Sequence, residues 1–141
     1  MEERHEVLSA RILVVDDEPA LRRTLERALR NLDYEVVSVG DPHLAYELLD
    51  AADYDLVMLD IHLPQMSGDT LAIALLRRWP RLAGRILLMT GDPWALRANW
   101  PDELRQCPLL VKPFTLDALG SAVLTALTAL APQSQRKRNG G

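Results

Sequence analysis

Short apolar runs recur along this chain, and most of them lead into a polar residue. Each run has the length and the branched aliphatic content of a strand that is buried on both faces, as in a parallel sheet. Four runs end in reactive side chains: 11–15 in Asp16 and Asp17, 55–59 in Asp60, 85–89 in Thr90, and 109–111 in Lys112. Valines between positions 36 and 39 indicate one more strand, the second in chain order, closed by Gly40.

The segments between the strands repeat their apolar residues at helical spacing. The first begins at Pro19, which suits a first helical turn. Its apolar face consists of Leu21, Leu25, Ala28, Leu29 and Leu32. The opposite face is expected to be solvated and consists of Arg22, Arg23, Glu26, Arg27 and Arg30. Further helices are predicted after Asp41, from Gly68 to Trp79, and after Thr115. The last has an apolar face of Leu116, Leu119, Val123, Leu127 and Leu130.

The segment before the fifth strand is less regular. Pro101 is expected to end any helix that begins near Pro93, because a proline inside a helix clashes with the preceding turn. The fourth helix is therefore predicted to be short, irregular or mobile. Trp94 and Trp100 are predicted to form a surface for a protein partner, since exposed aromatic side chains often anchor interfaces.

Strands that alternate with helices predict an α/β fold with right-handed crossovers and a parallel sheet covered on both sides. Five strands and five helices fit one three-layer α/β/α domain within the 141 residues. We expect a polar lead-in or linker remnant at 1–9, the folded domain at 10–131 and a flexible tail at 132–141, with no output domain.

Composition narrows the class of function. The formal net charge of −4 argues against nucleic-acid binding, which needs an excess of Lys and Arg on one surface. No apolar run approaches the roughly 20 residues that cross a bilayer, so no membrane partner is expected. The single cysteine, Cys107, excludes an internal disulfide, is expected to be inert and fits a reducing compartment. A cytoplasmic location is predicted.

In an open parallel α/β sheet, ligands bind in the crevice outside the carboxyl ends of the strands. Asp16, Asp17 and Asp60 should therefore meet at one edge of the sheet. Two carboxylates about 4 Å apart repel each other by roughly 4 kcal/mol at an effective dielectric constant of about 20. Such repulsion is relieved by proton uptake or by a bound cation. Ligands that are all oxygen atoms suit Mg2+, with Mn2+ as an alternative.

The same edge would hold a nucleophile and two groups that stabilise phosphate. Attack by Asp60 on a phosphoryl group gives an aspartyl-phosphate, a covalent route that is open to carboxylates. Lys112 would pair with one phosphoryl oxygen, and Thr90 would donate a hydrogen bond to another. The sequence thus predicts a metal-assisted site that accepts a phosphoryl group.

These motifs, in this order, resemble the receiver domain of two-component response regulators, which has a CheY-like, flavodoxin-like doubly wound fold. The matching motifs are Asp16–Asp17, Leu59–Asp60 with Leu63–Pro64 and Gly68, Thr90, and Lys112–Pro113–Phe114. The resemblance covers roughly residues 10–131 and implies the strand order 2-1-3-4-5.

By this resemblance, Asp60 is the phosphoacceptor of a signalling domain that is not an enzyme and assists only its own phosphorylation and dephosphorylation. The donor would be a phosphohistidine of a sensor histidine kinase or of a histidine phosphotransfer protein. Asp17 and Asp60 would bind Mg2+ directly, Asp16 would act chiefly through water, and His62 would contribute its backbone carbonyl.

The resemblance also implies a conformational switch. Thr90 would swing toward the phosphoryl group, Lys112 would hold an ion pair with it, and the Lys112–Pro113 bond would be cis. The surface of helix four, strand five and helix five would change and bind a downstream protein, and a phosphorylation-linked dimer is also allowed. Leu109 replaces the aromatic residue that the family usually has there, which leaves room for signalling through another part of this surface.

His62 and Asp92 follow the acceptor and the switch hydroxyl by two positions each. Residues at these positions in the family flank the entrance to the phosphoryl group. We therefore expect His62 and Asp92 to modulate hydrolysis of the aspartyl-phosphate.

Other interpretations stay open at this point. Asp16–Asp17 also suits a helix-capping pair, and Lys112 before a proline also suits a solvated loop charge. The receiver could stand alone or form the carboxy-terminal part of a hybrid histidine kinase. It could also serve as a non-phosphorylated platform for proteins, or be a hydrolase built on aspartyl-phosphate chemistry. Short strand–helix loops leave little room for the substrate pocket that a hydrolase needs.

Overall fold

The computed structural model describes residues 10–92 and 100–129, which form a five-stranded parallel sheet flanked by helices. The strands are β1 (Arg11–Val15), β2 (Glu35–Val39), β3 (Leu56–Asp60), β4 (Ile86–Thr90) and β5 (Leu109–Val111). Their order across the sheet is β2–β1–β3–β4–β5. The α/β class and this strand order are confirmed. The expected lead-in at 1–9 and tail from 132 onward lie outside the described residues.

Five α-helices occur in the described part of the chain: α1 (Pro19–Asn31), α2 (Pro42–Ala51), α3 (Gly68–Arg78), α4 (Asp102–Arg105) and α5 (Leu116–Ala129). A one-turn 3-10 helix at Pro80–Leu82, which the pattern did not predict, follows α3. The side chains of Asp41 and Thr115 cap α2 and α5 through backbone amides two and three residues further on. None of these helices within the described ranges is long and apolar enough to span a bilayer.

Both faces of the sheet are buried, which explains why its strands are continuous apolar runs. Along β1, Ile12 and Val14 belong to one hydrophobic core, whereas Leu13 and Val15 belong to the other. Helices α1 and α5 cover the first core with Leu25, Leu29, Leu119 and Val123. Helices α2 and α3 cover the second with Ala45, Leu49, Leu71 and Leu75. The domain therefore has the three layers that the sequence predicted.

The polar face of α1 was predicted to be solvated, and this was only partly right. Arg22 Nη1 donates to the carbonyl oxygen of Asp16, and Arg30 Nη2 donates to that of Val36 at 3.2 Å. The Ser38 hydroxyl donates to the carboxylate of Glu26. Arg30 and Glu26 thus contact the edge strand β2, whereas Arg22 contacts the residue that follows β1.

The apolar faces predicted for the first and last helices are also less complete than expected. Leu32, which follows α1, is 46% exposed, and Leu116, the first residue of α5, is 64% exposed. Both lie at a helix end, and Leu130, the last residue of the face predicted for the last helix, lies outside the described residues. The central residues of the same faces, Leu25, Leu29 and Leu119, are buried as expected.

The region of the fourth helix agrees with the prediction only in part: its helix α4 is short, as expected. Pro101 directly precedes the four-residue helix α4, whereas residues 93–99, with Trp94, lie outside the described part, so the prediction that Pro101 ends a helix beginning near Pro93 is not tested. Trp100 is only 7% exposed and packs in a core with Leu104 and Cys107. The prediction of Trp100 as an exposed anchor was therefore wrong. Helix α4 buries only Leu104, and the indole supplies the larger apolar area in this region.

Candidate functional site

Three acids meet where two neighbouring strands end. Asp16 and Asp17 follow β1 directly, and Asp60 is the last residue of β3, which pairs with β1 in parallel. One carboxylate oxygen of each acid lies within 4.8 Å of those of the other two. Asp16 and Asp60 are buried, whereas Asp17 is exposed. Chain topology thus brings together the three acids that the sequence selected.

Lys112 brings a positive charge to these acids. Its Nζ lies 3.1 Å from Asp16 Oδ2 and 3.4 Å from Asp60 Oδ2. Burial lowers the pKa of Lys112, but the hydrogen bond to Asp16 and the charges of Asp60 and Asp16 outweigh that effect, and the pKa is raised. Lys112 therefore remains cationic and offsets the mutual repulsion of the acids, so it is not a solvated loop charge. Its peptide bond to Pro113 is cis.

Every polar group of Asp16 has a partner in the described structure. Its amide donates to the Val39 carbonyl at 3.1 Å, and its carbonyl accepts from Arg22 Nη1 at 2.6 Å. Oδ1 accepts from the Glu18 amide at 2.9 Å, and Oδ2 faces Lys112. The contact with Glu18 resembles the capping role that was the simpler interpretation of this acid. The contact with Lys112 goes beyond that role and links Asp16 to Asp60.

Thr90 ends β4, the strand next to β3, and is almost fully buried. Its Oγ1 accepts from the amide of Asp92 at 3.0 Å and lies 3.4 Å from His62 Nε2. The amide of His62 donates to Asp60 Oδ1 at 3.0 Å. Sequence reasoning placed His62 and Asp92 near the site but missed these contacts, because the direction of a backbone amide depends on the conformation of its loop.

Gly68 allows the loop after β3 to fold back onto Asp60. The amide of Gly68 donates to the Ile61 carbonyl at 2.6 Å. A Cβ atom at this position would overlap the Asp60 carbonyl oxygen and the Ile61 backbone, which cannot move as a flexible side chain can. Only glycine fits such a close approach, so this position helps to fix the backbone that carries the Asp60 carboxylate.

The donor set fits a hard divalent ion. Asp16, Asp17 and Asp60 offer carboxylate oxygens only, the ligands that Mg2+ prefers. Their spacing would let one ion reach all three groups, either directly or through water. The exposure of Asp17 leaves one side of the cluster open to the waters that Mg2+ usually retains. The metal roles assigned to individual residues, including the carbonyl of His62, stay predictions.

Leu109, the first residue of β5, and Cys107, two residues before it, lie away from the acidic cluster in the core beneath α4. Leu109 is partly buried and packs against the core that contains Trp100 and Leu104. Cys107 belongs to the same core, and burial raises the pKa of its thiol to about 11. A thiol with that pKa is protonated at neutral pH, in keeping with the expectation that Cys107 is inert.

Comparison with known proteins identifies the class to which this fold and site belong. Residues 12–124 match the response regulator receiver domain family, and the chain belongs to that family. The transcriptional regulatory protein TcrA of Mycobacterium tuberculosis is 36% identical over 131 residues, which cover 89% of this chain and 49% of TcrA. The response regulator receiver protein CpdR of Brucella abortus is 32% identical over 119 residues, covering 84% of this chain and 98% of CpdR.

A solved structure gives the same assignment. The response regulator protein TrrA of Thermotoga maritima, in complex with Mg2+ and BeF, is 31% identical to this chain and superposes with a TM-score of 0.73. The alignment covers 84% of this chain and 99% of TrrA. The chain spans about half the length of TcrA but nearly the whole of CpdR and TrrA.

Proposed function

We propose that this chain is a cytoplasmic, phosphorylation-dependent signalling domain that accepts a phosphoryl group on Asp60. The donor would be a phosphohistidine of a sensor kinase or of a histidine phosphotransfer protein, and the receiver would extend over residues 10–131. The observation that carries the proposal is the convergence of the three acids with Thr90 and Lys112. TrrA, to which this chain is similar, has also been crystallised in complex with the histidine kinase ThkA, and this supports a histidine kinase as the class of donor.

Asp60 would act as the nucleophile. Its Oδ1 is held by the amide of His62 and its Oδ2 faces Lys112, so both contacts orient the carboxylate. In the transfer, a bond forms between a carboxylate oxygen and phosphorus while the phosphorus–nitrogen bond of the donor breaks. The electron pair of that bond returns to the imidazole ring. A carboxylate nucleophile needs no general base, in agreement with a site that is made of acids, a hydroxyl and an ammonium.

Thr90 and Lys112 would stabilise the charge of the transferred group. The ammonium of Lys112 already lies beside the nucleophile and would pair with a phosphoryl oxygen. The Thr90 oxygen accepts a hydrogen bond from the Asp92 amide, and its hydroxyl proton could turn toward a second phosphoryl oxygen. Mg2+ held by the three carboxylates and the His62 carbonyl would neutralise the remaining phosphoryl charge.

Phosphorylation would then alter the surface formed by α4, β5 and α5. The Lys112 amide donates to the Thr90 carbonyl at 2.7 Å, so a shift at the end of β4 would reach the end of β5. Leu109 on β5 packs against the core of Trp100 and Leu104, which would carry the shift toward α4. A downstream protein or a second phosphorylated copy would bind this altered surface.

Intact-mass measurement with phosphoramidate tests the proposal, because this small donor also has a phosphorus–nitrogen bond. Wild type should gain one phosphoryl group with Mg2+ (Mn2+ as a substitute) and none with EDTA. Asp60→Asn should gain none, whereas Asp50→Asn, an exposed acid on α2, should match wild type. Incorporation by Asp60→Asn would move the acceptor elsewhere, and none by wild type would favour a protein-binding platform. Donor turnover far beyond self-dephosphorylation would indicate a hydrolase.

A further inference from the structure

Arg22 makes a contact that connects α1 to the acids of the site. Its Nη1 donates to the backbone carbonyl of Asp16 at 2.6 Å, and the side chain is only partly exposed. Asp16 is the residue through which Lys112 and the turn before α1 are joined. The adjacent Arg23 belongs to the same turn of α1 and is exposed. The two arginines thus carry the same charge in very different surroundings.

Gly40 leaves the space that the Arg22 guanidinium occupies. A Cβ atom at position 40 would come within 2.6 Å of Arg22 Nη1 and 3.3 Å of its Cζ, and it would still clear the Asp16 carbonyl at 3.5 Å. The atom that would have to move is the end of a flexible side chain, so the fold could accommodate alanine there. The contact between Arg22 and Asp16 would then be lost while the charge of Arg22 stays on the protein.

We propose that Arg22 is a positioning residue, which holds the Asp16 carbonyl and so presents Asp16 and Asp17 to the divalent cation, and that Gly40 is required for this contact. This inference rests on the proposed function, since it names a residue that supports the proposed metal site. The carbonyl of Asp16 belongs to the peptide unit that leads into Asp17. Fixing this carbonyl therefore restricts the backbone between the two acids.

Charge alone predicts the opposite result, which makes the inference testable. Removing a cation near three acids should strengthen Mg2+ binding if Arg22 acts only through its electrostatic field. Removing a group that orients a metal ligand weakens metal binding, typically by 10-fold or more. The sign of the change in Mg2+ affinity therefore distinguishes positioning from electrostatics.

Mg2+ affinity should be measured by calorimetry for wild type, Arg22→Ala, Gly40→Ala and the double variant, with Arg23→Ala as the matched control. We expect Arg22→Ala and Gly40→Ala each to weaken Mg2+ binding by about 10-fold. The double variant should be no weaker than either single one, because both remove the same contact. Arg22→Lys should recover part of the affinity, and Arg23→Ala should bind as wild type or slightly more tightly.

Stronger Mg2+ binding by Arg22→Ala, or a Gly40→Ala variant that binds as wild type, would overturn the inference. A measurement made without metal tests the positioning role of Arg22 independently of the proposed function. The Glu18 amide donates a hydrogen bond to Asp16 Oδ1, so its hydrogen exchange should be faster if Asp16 is held less firmly. We expect faster exchange in Arg22→Ala and unchanged exchange in Arg23→Ala. If wild type bound no Mg2+, the proposed metal site would fail, while unchanged exchange in both variants would refute the positioning role by itself.

Discussion

Lys112 Nζ lies 3.1 Å from Asp16 Oδ2, although the two residues are 96 positions apart in the chain. The Asp16 carboxylate is fully buried, and a buried charge is tolerated only when it is paired or hydrogen-bonded. In the absence of a metal ion, the ammonium of Lys112 therefore serves as the cation of the acidic cluster. It shares the carboxylates of Asp16 and Asp60 with any divalent ion that binds there.

Replacing Lys112 by methionine should therefore destabilise the metal-free protein and increase the stabilisation by Mg2+. The replacement leaves the Asp16 carboxylate buried without its charged partner. We therefore expect the free energy of unfolding to fall by about 1–3 kcal/mol. Urea unfolding with and without Mg2+ measures both effects. Arg78→Met is the control, because Arg78 pairs with Asp50 on the surface, and exposed pairs contribute about 0–1 kcal/mol. A loss equal to that control, or one that Mg2+ does not reduce, would contradict the pairing argument.

Stability should fall at alkaline pH in steps that can be assigned to residues. The raised pKa of Lys112 means that the folded protein holds this proton more tightly than the unfolded chain. Its contribution is complete below the ordinary pKa of 10.5 and is lost as the pH rises through the raised value. The pKa of Tyr34 is raised from 10.0, and that of Cys107 from 9.0 to about 11, in both cases because burial disfavours the charged form.

Loss of the proton from each of these three groups destabilises the folded protein as the pH rises, but the effect begins at a different pH for each group. In unfolding measurements across this range, Cys107→Ala should flatten the decline that begins near pH 9.0, and Lys112→Met should flatten it only above 10.5. The slope, not the absolute stability, is the relevant quantity, since both replacements also change packing. A Lys112→Met curve parallel to that of wild type above pH 10.5 would show that this pKa is not raised.

Gly68→Ala should disturb Asp60 more than a glycine replacement elsewhere in the site. The added methyl group meets the backbone of Asp60 and Ile61, so we expect a loss of roughly 1–3 kcal/mol in the free energy of unfolding, with slower phosphoryl incorporation. Gly91→Ala is the matched control, because a Cβ atom there meets nothing within 4 Å. Urea unfolding and timed intact-mass spectra compare the two. Equal behaviour would mean that the loop adjusts at no cost.

The sheet and the convergence of polar residues were predictable because two simple regularities determine them. Apolar runs identify buried strands, and parallel strands place their carboxyl ends at one edge, so Asp60 and Thr90 were expected at the same edge. The strand order that makes them neighbours was implied only by the family resemblance. The contact of Arg22 was not predictable, because helical periodicity assigns it to a polar face but does not say what that face adjoins. Trp100 was misassigned for a similar reason: an aromatic residue suits a core as well as an interface, and tertiary packing decides between them.

His62→Ala and Asp92→Ala should change the lifetime of the aspartyl-phosphate severalfold and leave the fold intact. The hydrogen bonds that both residues make to Asp60 and Thr90 come from backbone amides, which the alanine variants retain. What each variant loses is a side chain that the family resemblance places at the entrance to the phosphoryl group, and the imidazole of His62 lies 3.4 Å from the Thr90 hydroxyl. Without these side chains, the access of water to the phosphoryl group should change, and with it the rate of hydrolysis.

The lifetime is measured by removing the donor and following the decay of the phosphorylated mass in the presence of Mg2+. His43→Ala, which removes an exposed histidine from α2, is the control and should decay as wild type does. Urea unfolding of the unphosphorylated variants should give free energies within about 0.5 kcal/mol of wild type, as is usual for surface replacements. Decay rates equal to wild type in both His62→Ala and Asp92→Ala would exclude a modulating role. A marked loss of stability would instead assign these side chains to the fold.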